Sequence, residues 1–143
     1  MILPDVNVLV YAHRQDTPDH GLYRNWFEDV LTGGQSFGVA ELVLSGFLRI
    51  VTSPRIFLRP SPLEAAFQFV HEVRDRPNCV LVAPGERHWT IFEQLCRECR
   101  ARGNLIPDAY HAALAIESGS EWITTDRDYA RFRGLRWRHP LAD

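Results

Sequence analysis

The sequence predicts one α/β domain spanning residues 1–143, a three-layer α/β/α sandwich around a mostly parallel sheet. Short apolar runs alternate along the chain with longer segments whose apolar residues recur at helical spacing. Such alternation favours parallel strands joined by right-handed helical crossovers. With 143 residues, 45% of them hydrophobic and 24% charged, the chain is long enough to bury one core without disulfides or structural metals.

In the first half of the chain, the apolar run at residues 2–4 predicts a strand that ends at Asp5, and the letters VNVLVYAH then continue at helical spacing. Thr17, Pro18 and Asp19 are typical of a helix start, with a polar cap and a proline in the first turn. The letters SFGVA predict a short strand. The segment AELVLSGFLRIVT that follows predicts a helix with one buried apolar face.

In the second half, Ser61 and Glu64 match a capping box that opens a helix through about Arg74. The letters CVLVAP predict a buried strand, and a helix is expected around residues 86–101. Pro107 begins another helix, whose Ala-rich face permits close packing. At the end of the chain EWITT predicts a strand, DRDYARF a short helical turn and LRWRHP a terminal strand.

Charge and cysteine content exclude several classes of protein. All 16 basic residues counted as Lys or Arg are Arg, so no mechanism that requires a lysine is possible. Three cysteines, an odd number, argue against a disulfide framework, and Cys96 and Cys99 lie within a helical pattern rather than at a redox turn. No apolar run reaches the length of a membrane span, and no basic leader begins the chain, so a cytoplasmic protein is expected.

Four acidic residues stand at or near the junctions between apolar runs and helical patterns: Asp5, Glu41, Asp108 and Asp126. Parallel α/β folds bind ligands beyond the carboxyl ends of their strands, where three of these acids are expected, and Asp108 enters from the first turn of a helix. Taken singly, the aspartates are also explained as helix caps. If all four converge, their like charges require protons or hard divalent cations for neutralisation.

Carboxylate oxygens suit Mg²⁺, with Mn²⁺ as a substitute, and no neighbouring cysteine or histidine favours zinc. Such ions activate water and stabilise the attacking and leaving oxygens of a phosphodiester. The amide of Asn7 and the hydroxyl of Thr124 stand close enough in sequence to orient carboxylates or water.

The segments LPDVNVLVYA, AELVLSGFLRIVT, IPDAYHAALAIE and WITTDRDYARF, in this order and at these separations, resemble a PIN domain. The short chain, its DxN start and its ending TTDRDYARFRGLRWRHPL are similar to VapC-type ribonuclease toxins of VapBC toxin–antitoxin modules. The resemblance covers essentially the whole chain. It implies a Mg²⁺-dependent endoribonuclease that hydrolyses phosphodiester bonds in structured RNA, either tRNA or ribosomal RNA. It also implies a homodimer that a cognate VapB-type antitoxin neutralises.

The family pattern assigns roles to particular positions. It implies that the catalytic, metal-binding acids are Asp5, Glu41, Asp108 and Asp126. The resemblance also implies that polar side chains support this site, namely those of Asn7 and Thr124. Asp128 is expected either to cap a helix or to act from outside the set of metal ligands.

Candidates for RNA contact are Arg14, Arg127 and Arg131, which stand close in sequence to the predicted site. In the terminal strand, side-chain alternation is expected to place Arg136 and Arg138 in solvent.

Alternative functions remain open at this point. Receiver-like domains and haloacid-dehalogenase-like phosphatases share an acidic pocket in an α/β fold, but both require a lysine that this chain lacks. A structure-specific DNA nuclease would normally carry longer insertions. A catalytically silent PIN-like domain that binds RNA or a protein partner is the main alternative, although such a domain normally loses one or more of its acids.

Overall fold

The computed structural model describes residues 1–142 and contains a sheet in which all neighbouring strands are parallel. The strands in chain order are β1 (Ile2–Pro4), β2 (Phe37–Val39), β3 (Cys79–Leu81), β4 (Glu121–Ile123) and β5 (Trp137–Arg138). Across the sheet, their order is β3-β2-β1-β4-β5. This parallel pairing confirms the predicted α/β class.

Helices connect the strands, as parallel pairing requires. They are α1 (Val6–His13), α2 (His20–Thr32), α3 (Glu41–Val51), α4 (Leu63–Arg74), α5 (His88–Glu98) and α6 (Leu105–Ser118), with a 3₁₀ turn at Arg127–Arg131. Helix α1 contacts α2 and α3, and α3 contacts α4, whereas α5 contacts α6. These two groups agree with the predicted three-layer sandwich, in which helices cover both faces of a parallel sheet. No helix within residues 1–142 has the length and apolar character that crossing a membrane requires.

The order of the strands reverses at β1, which lies between β2 and β4. In open parallel sheets, such a reversal leaves a crevice beyond the carboxyl ends of the two diverging strands. Strands β1 and β4 end together, with Pro4 opposite Ile123. The amide of Asp5 then donates a hydrogen bond to the carbonyl of Ile123 at 2.8 Å. The residues that follow these two strands therefore meet in one place.

The core lies between the central strands and the apolar faces of the helices. Leu3, Val39 and Trp122 are fully buried on β1, β2 and β4. Helix α6, which contacts β4, buries the small side chains of Ala109, Ala112, Ala113 and Ala115. Because these side chains are short, the helix backbone can approach its neighbours closely, as the Ala-rich sequence predicted.

The prediction of a buried strand at CVLVAP was wrong. Strand β3 is only three residues long and pairs with β2 alone, so it forms an edge of the sheet. Val80 is 41% exposed and Leu81 is 50% exposed. A short apolar run does not by itself distinguish an edge strand from a central one, because the difference lies in how many neighbours the sheet provides.

The predicted capping box at the start of α4 is also absent. Pro62 is the residue before the helix, and no side chain caps it. The hydroxyl of Ser61 instead accepts a hydrogen bond from Nη1 of Arg14 and lies 3.1 Å from Nε2 of His13. These long-range partners, 47 and 48 residues away in the chain, replace the local cap.

We expect Gly38→Ala to destabilise the protein by about 1–3 kcal/mol, because the added methyl group overpacks the core beside β2. A Cβ at this position would lie 2.8 Å from Cγ2 of Val82 and 3.1 Å from Cδ1 of Leu3. Urea denaturation measures the change. Gly34→Ala is the matched control, since a Cβ there meets nothing within 4 Å, and its effect should stay within about 0.5 kcal/mol. Equal losses from both substitutions would contradict this explanation.

Candidate active site

Asp5 occupies the buried centre of the site. It caps α1, where Oδ1 accepts a hydrogen bond from the amide of Val6 at 2.6 Å. Its second oxygen, Oδ2, accepts from the hydroxyl of Thr124 at 2.7 Å. Only 7% of Asp5 is exposed. The carboxylate is therefore held on both oxygens, and one of its anchors comes from 119 residues away.

Thr124, directly after β4, connects Asp5 to a second acid. Its hydroxyl donates to Asp5 and also accepts a hydrogen bond from the amide of Asp126 at 3.0 Å. The side chain of Asp126 then accepts from the amide of Asp128 at 2.9 Å, which starts the 3₁₀ turn. Thr124 is fully buried. This geometry is consistent with the supporting role that the family pattern implies for Thr124.

The third acid, Asp108, lies in the first turn of α6. The hydroxyl of Tyr129 donates to its Oδ1 at 3.3 Å. Tyr129 is itself buried and belongs to the 3₁₀ turn that follows Asp126. The 3₁₀ turn thus orients two acids: Asp126 through the hydrogen bond at the start of the turn, and Asp108 through the hydroxyl of Tyr129.

Asp5, Asp108 and Asp126 line a single cavity of about 340 Å³, together with Asn7. The convergence predicted from sequence is therefore present for three of the four acids. Helix α3 contributes a different part of the wall, including Ser45 and Arg49.

Burial raises the pKa of Asp5 to about 6, and the charges of Asp108 and Asp126 act in the same direction. The hydrogen bonds from Thr124 and Val6 oppose this rise. Burial, together with the charges of Asp126 and Asp128, also raises the pKa of Asp108 despite its bond from Tyr129. The carboxylates of Asp5 and Asp108 thus lie close to other acids at positions where burial disfavours their charged forms.

Glu41 does not line this cavity. It is the first residue of α3, and its side chain is 77% exposed. Its carboxylate instead pairs with Nη1 of Arg74 on α4 at 3.2 Å. The role of Glu41 as a metal ligand remains a prediction. Asp128 is likewise exposed, with its carboxylate 4.0 Å from Arg131.

The placement of Arg14 does not support the expectation that it contacts RNA. Its side chain is only 10% exposed, and Asp16 pairs with it at 2.6 Å. A further nitrogen donates to Ser61, and the guanidinium lies 4.1 Å from the ring centre of Phe57. These contacts show that Arg14 holds neighbouring segments of its own chain together. Arg127 and Arg131 are exposed, so their role in RNA binding remains a prediction.

The terminal strand departs in part from the prediction that both of its arginines face solvent. Arg136 is exposed, although one of its nitrogens donates to the carbonyl of Gly119 at 2.8 Å. Arg138 is only partly exposed because Nε donates to Glu121 at 2.8 Å.

Three titratable side chains also line the cavity, although the sequence patterns did not place them there: Arg49, His111 and Tyr129. Each stands at helical spacing from a polar residue of the cavity. Arg49 lies four positions after Ser45, and His111 and Tyr129 lie three after Asp108 and Asp126. That spacing could have indicated them, since residues three or four apart share a helical face.

The donor set of the cavity is suited to a hard divalent cation, because its acids offer carboxylate oxygens and Asp5 carries an unfavourable buried charge. Within residues 1–142, no group of three or more His, Cys, Asp or Glu side chains is arranged to hold a metal ion.

Comparison with known proteins agrees with this fold. A model of the PIN domain family matches residues 2–135. The chain belongs to the PIN domain family. This PIN domain is 45% identical over 141 residues to the VapC ribonuclease Mb2897 of Mycobacterium bovis, which covers 99% of this chain and 96% of the relative. It is 44% identical over 140 residues to ribonuclease VapC25 of Mycobacterium tuberculosis, with coverage of 98% and 99%. Within the PIN domains, the chain belongs with the VapC ribonucleases.

Solved structures share the same PIN fold. The VapBC2 structure from Rickettsia felis matches with a TM-score of 0.69 at 17% identity, covering 97% of this chain and 98% of that one. VapC20 of Mycobacterium tuberculosis, described as a sarcin–ricin loop cleaving toxin, matches with a TM-score of 0.65 at 16% identity, covering 95% and 99%. At these identities the similarity concerns the fold alone.

The raised pKa of Asp5 predicts that Asp5 contributes less to the stability of the metal-free PIN domain as pH rises. The folded pKa of about 6 exceeds the ordinary value of 3.8, so the folded state binds this proton more tightly than the unfolded state. Its stabilising contribution is complete below the unfolded pKa and is lost as pH rises through the folded pKa. The loss between pH 4 and 7 is on the order of 3 kcal/mol.

Urea denaturation in EDTA across this pH range measures the effect. Asp5→Asn is the control, because its amide cannot titrate. The free energy of unfolding of the wild type minus that of Asp5→Asn should fall as pH rises, and this difference removes the opposite effect of His111, whose pKa burial lowers to about 4. Parallel pH profiles for the two proteins would contradict the prediction.

Proposed function

We propose that the protein is a divalent-metal-dependent endoribonuclease of the VapC type, which hydrolyses phosphodiester bonds in structured RNA. The observation that carries this proposal is the convergence of Asp5, Asp108 and Asp126 on one cavity, from three separate segments of the chain. Relatives 44–45% identical over nearly the whole chain are named as ribonucleases, which supports the same activity.

The cation proposed is Mg²⁺, with Mn²⁺ as a substitute, and the residues proposed to hold it are the three converging acids and Glu41. When bound, such an ion supplies Lewis-acid polarisation of the phosphoryl group. The protein contributes fixed orientation, because Thr124 holds Asp5 and Tyr129 holds Asp108. Above its pKa of about 6, the carboxylate of Asp5 is ionised and ready to bind a cation.

The substrate proposed is tRNA or ribosomal RNA. VapC20, which shares the fold, is described as cleaving the sarcin–ricin loop. A hairpin with the sequence of that loop is therefore the first substrate to test, followed by total tRNA.

The partner proposed is a VapB-type antitoxin that neutralises the nuclease, and the proposed assembly contains a homodimer of this chain. Structures of VapBC complexes from Rickettsia felis and Haemophilus influenzae share the fold, which supports a partner of this kind. The proposed site of action is the cytoplasm, where both RNA substrates occur.

A catalytically silent domain that binds RNA or a partner is the alternative. It would not require a cation for its function, whereas the proposed nuclease would. Retention of all four acids in the sequence favours the enzyme.

We expect Asp5→Asn and Asp108→Asn each to lower the rate of RNA cleavage by at least ~10²-fold, because each removes a charge that holds the cation. Cleavage of the labelled hairpin and of total tRNA is followed on gels, with Mg²⁺, with Mn²⁺ and with EDTA. Asp75→Asn is the matched control, since this exposed acid lies outside the cavity. Full activity in EDTA, or in Asp108→Asn, would refute the proposed mechanism.

Glu41→Gln tests the acid that the structure places outside the cavity. A role in cation binding predicts a loss of at least about tenfold in cleavage. Arg74→Ala is the matched control, because it removes the same ion pair while leaving the Glu41 carboxylate intact. Wild-type activity in Glu41→Gln would remove Glu41 from the proposed set.

A further inference from the structure

The cavity of the three acids also contains one positively charged side chain. Among its lining residues in the described part of the chain, only Arg49 carries a full positive charge at pH 7. The other basic group, His111, is neutral at that pH, because burial lowers its pKa to about 4. The positive charge among the residues that line this cavity therefore comes from Arg49.

Arg49 reaches the cavity because of the way α3 is built. Leu42, Ser45 and Arg49 stand at helical spacing and all line the cavity, whereas Val43 and Phe47 are buried in the core. The helix is thus divided into a core face and a cavity face.

Gly46 brings this cavity face close to α1. A Cβ at position 46 would lie 3.1 Å from Cγ2 of Val6, the residue next to Asp5. The absence of a side chain at Gly46 therefore lets α3 lie close to the buried acid. Arg49, less than one turn further along α3, lines the same cavity as that acid.

The guanidinium of Arg49 forms no ion pair with the described residues. Some arginines of residues 1–142 pair with carboxylates, as Arg74 does with Glu41 and Arg97 with Glu93. For Arg49, no carboxylate of the described residues lies within 4.0 Å. Its donors therefore remain available to a ligand, even though three acids line the same cavity.

A phosphodiester that enters this cavity meets three carboxylates, which repel it. A bound divalent cation offsets part of that repulsion but is itself shared with the acids. A guanidinium supplies further positive charge and a planar fork of N–H donors that matches two oxygens of one phosphate.

We propose that Arg49 is a substrate-binding residue, which holds the RNA phosphate at the bond to be cleaved by a charge-assisted fork of hydrogen bonds. This inference rests on the proposed function, and it names the group that fixes the phosphate in that site. Its role differs from that of the acids, because Arg49 holds the substrate and not the cation.

The experiment compares Arg49→Ala and Arg49→Lys with a matched control, Arg97→Ala. Arg97 is exposed on α5 in a surface ion pair and does not line the cavity. Cleavage of the sarcin–ricin loop hairpin, or of total tRNA if only that is cut, gives kcat and KM. Calorimetry with Mn²⁺ on the RNA-free proteins measures cation binding separately. Affinity for the labelled hairpin is measured against salt in an Asp108→Asn background, where cleavage is blocked.

We expect Arg49→Ala to lower kcat/KM by about tenfold to a hundredfold, since charge-assisted hydrogen bonds are lost. Arg49→Lys, which keeps the charge without the fork, should lose less, and Arg97→Ala should stay within about twofold. Mn²⁺ affinity should not fall in either Arg49 variant. In the Asp108→Asn background, Arg49→Ala should reduce the salt dependence of RNA binding by about one ion.

The two proposals fail in different ways. If Arg49→Ala cleaves RNA at the wild-type rate and its RNA binding keeps the same salt dependence, the proposed role of Arg49 is wrong and the proposed nuclease activity stands. A parallel loss of Mn²⁺ affinity in Arg49→Ala also overturns that role, because it indicates damage to the acids. If the wild type cleaves neither RNA but Arg49→Ala still weakens salt-dependent binding, the nuclease fails and the phosphate contact stands. If neither RNA binds the wild-type protein, both proposals fail.

Discussion

The buried hydrogen bond from Thr124 to Asp5 is the interaction on which this site depends. It joins the ends of β1 and β4 at the point where the order of the strands reverses, and it holds a carboxylate where only 7% of the residue is exposed. Burial disfavours that charge, and the hydrogen bonds from Thr124 and Val6 only partly compensate. The folded protein thus keeps an unfavourable charge at the carboxyl ends of its central strands, which an enzyme can use to bind a cation.

The remaining acids are arranged around this fixed point by weaker and more exposed contacts. Asp126 shares the hydroxyl of Thr124, and Asp108 receives a hydrogen bond from Tyr129. The three acids share one cavity, in which Asp5 is buried and Asp108 and Asp126 are partly exposed. The exposure of the acids therefore increases from the buried Asp5 to the partly exposed Asp108 and Asp126, whose side chains have more room to adjust to a ligand.

The arginines of this lysine-free chain differ in whether a carboxylate of the same chain pairs with them. Arg14 and Arg74 are engaged by carboxylates of their own chain and stabilise the packing of loops and helices. Arg49 has no such partner among residues 1–142, although it lines the cavity of Asp5, Asp108 and Asp126. What distinguishes Arg49 is therefore the combination of an unpaired guanidinium with a place in the cavity of the acids.

The sequence by itself determined the alternation of strands and helices, and it placed Asp5 and Asp126 after strands and Asp108 in the first turn of a helix, because hydrophobic periodicity and strand ends are local properties. Tertiary structure alone decided where Glu41, Arg14 and Ser61 point. Glu41 pairs with Arg74, 33 residues away, and Ser61 bonds Arg14 across 47 residues. Tertiary structure also made β3 an edge strand and brought Arg49 into the cavity. These outcomes depend on which surfaces meet after folding, a long-range property that neither helical spacing nor capping motifs encode.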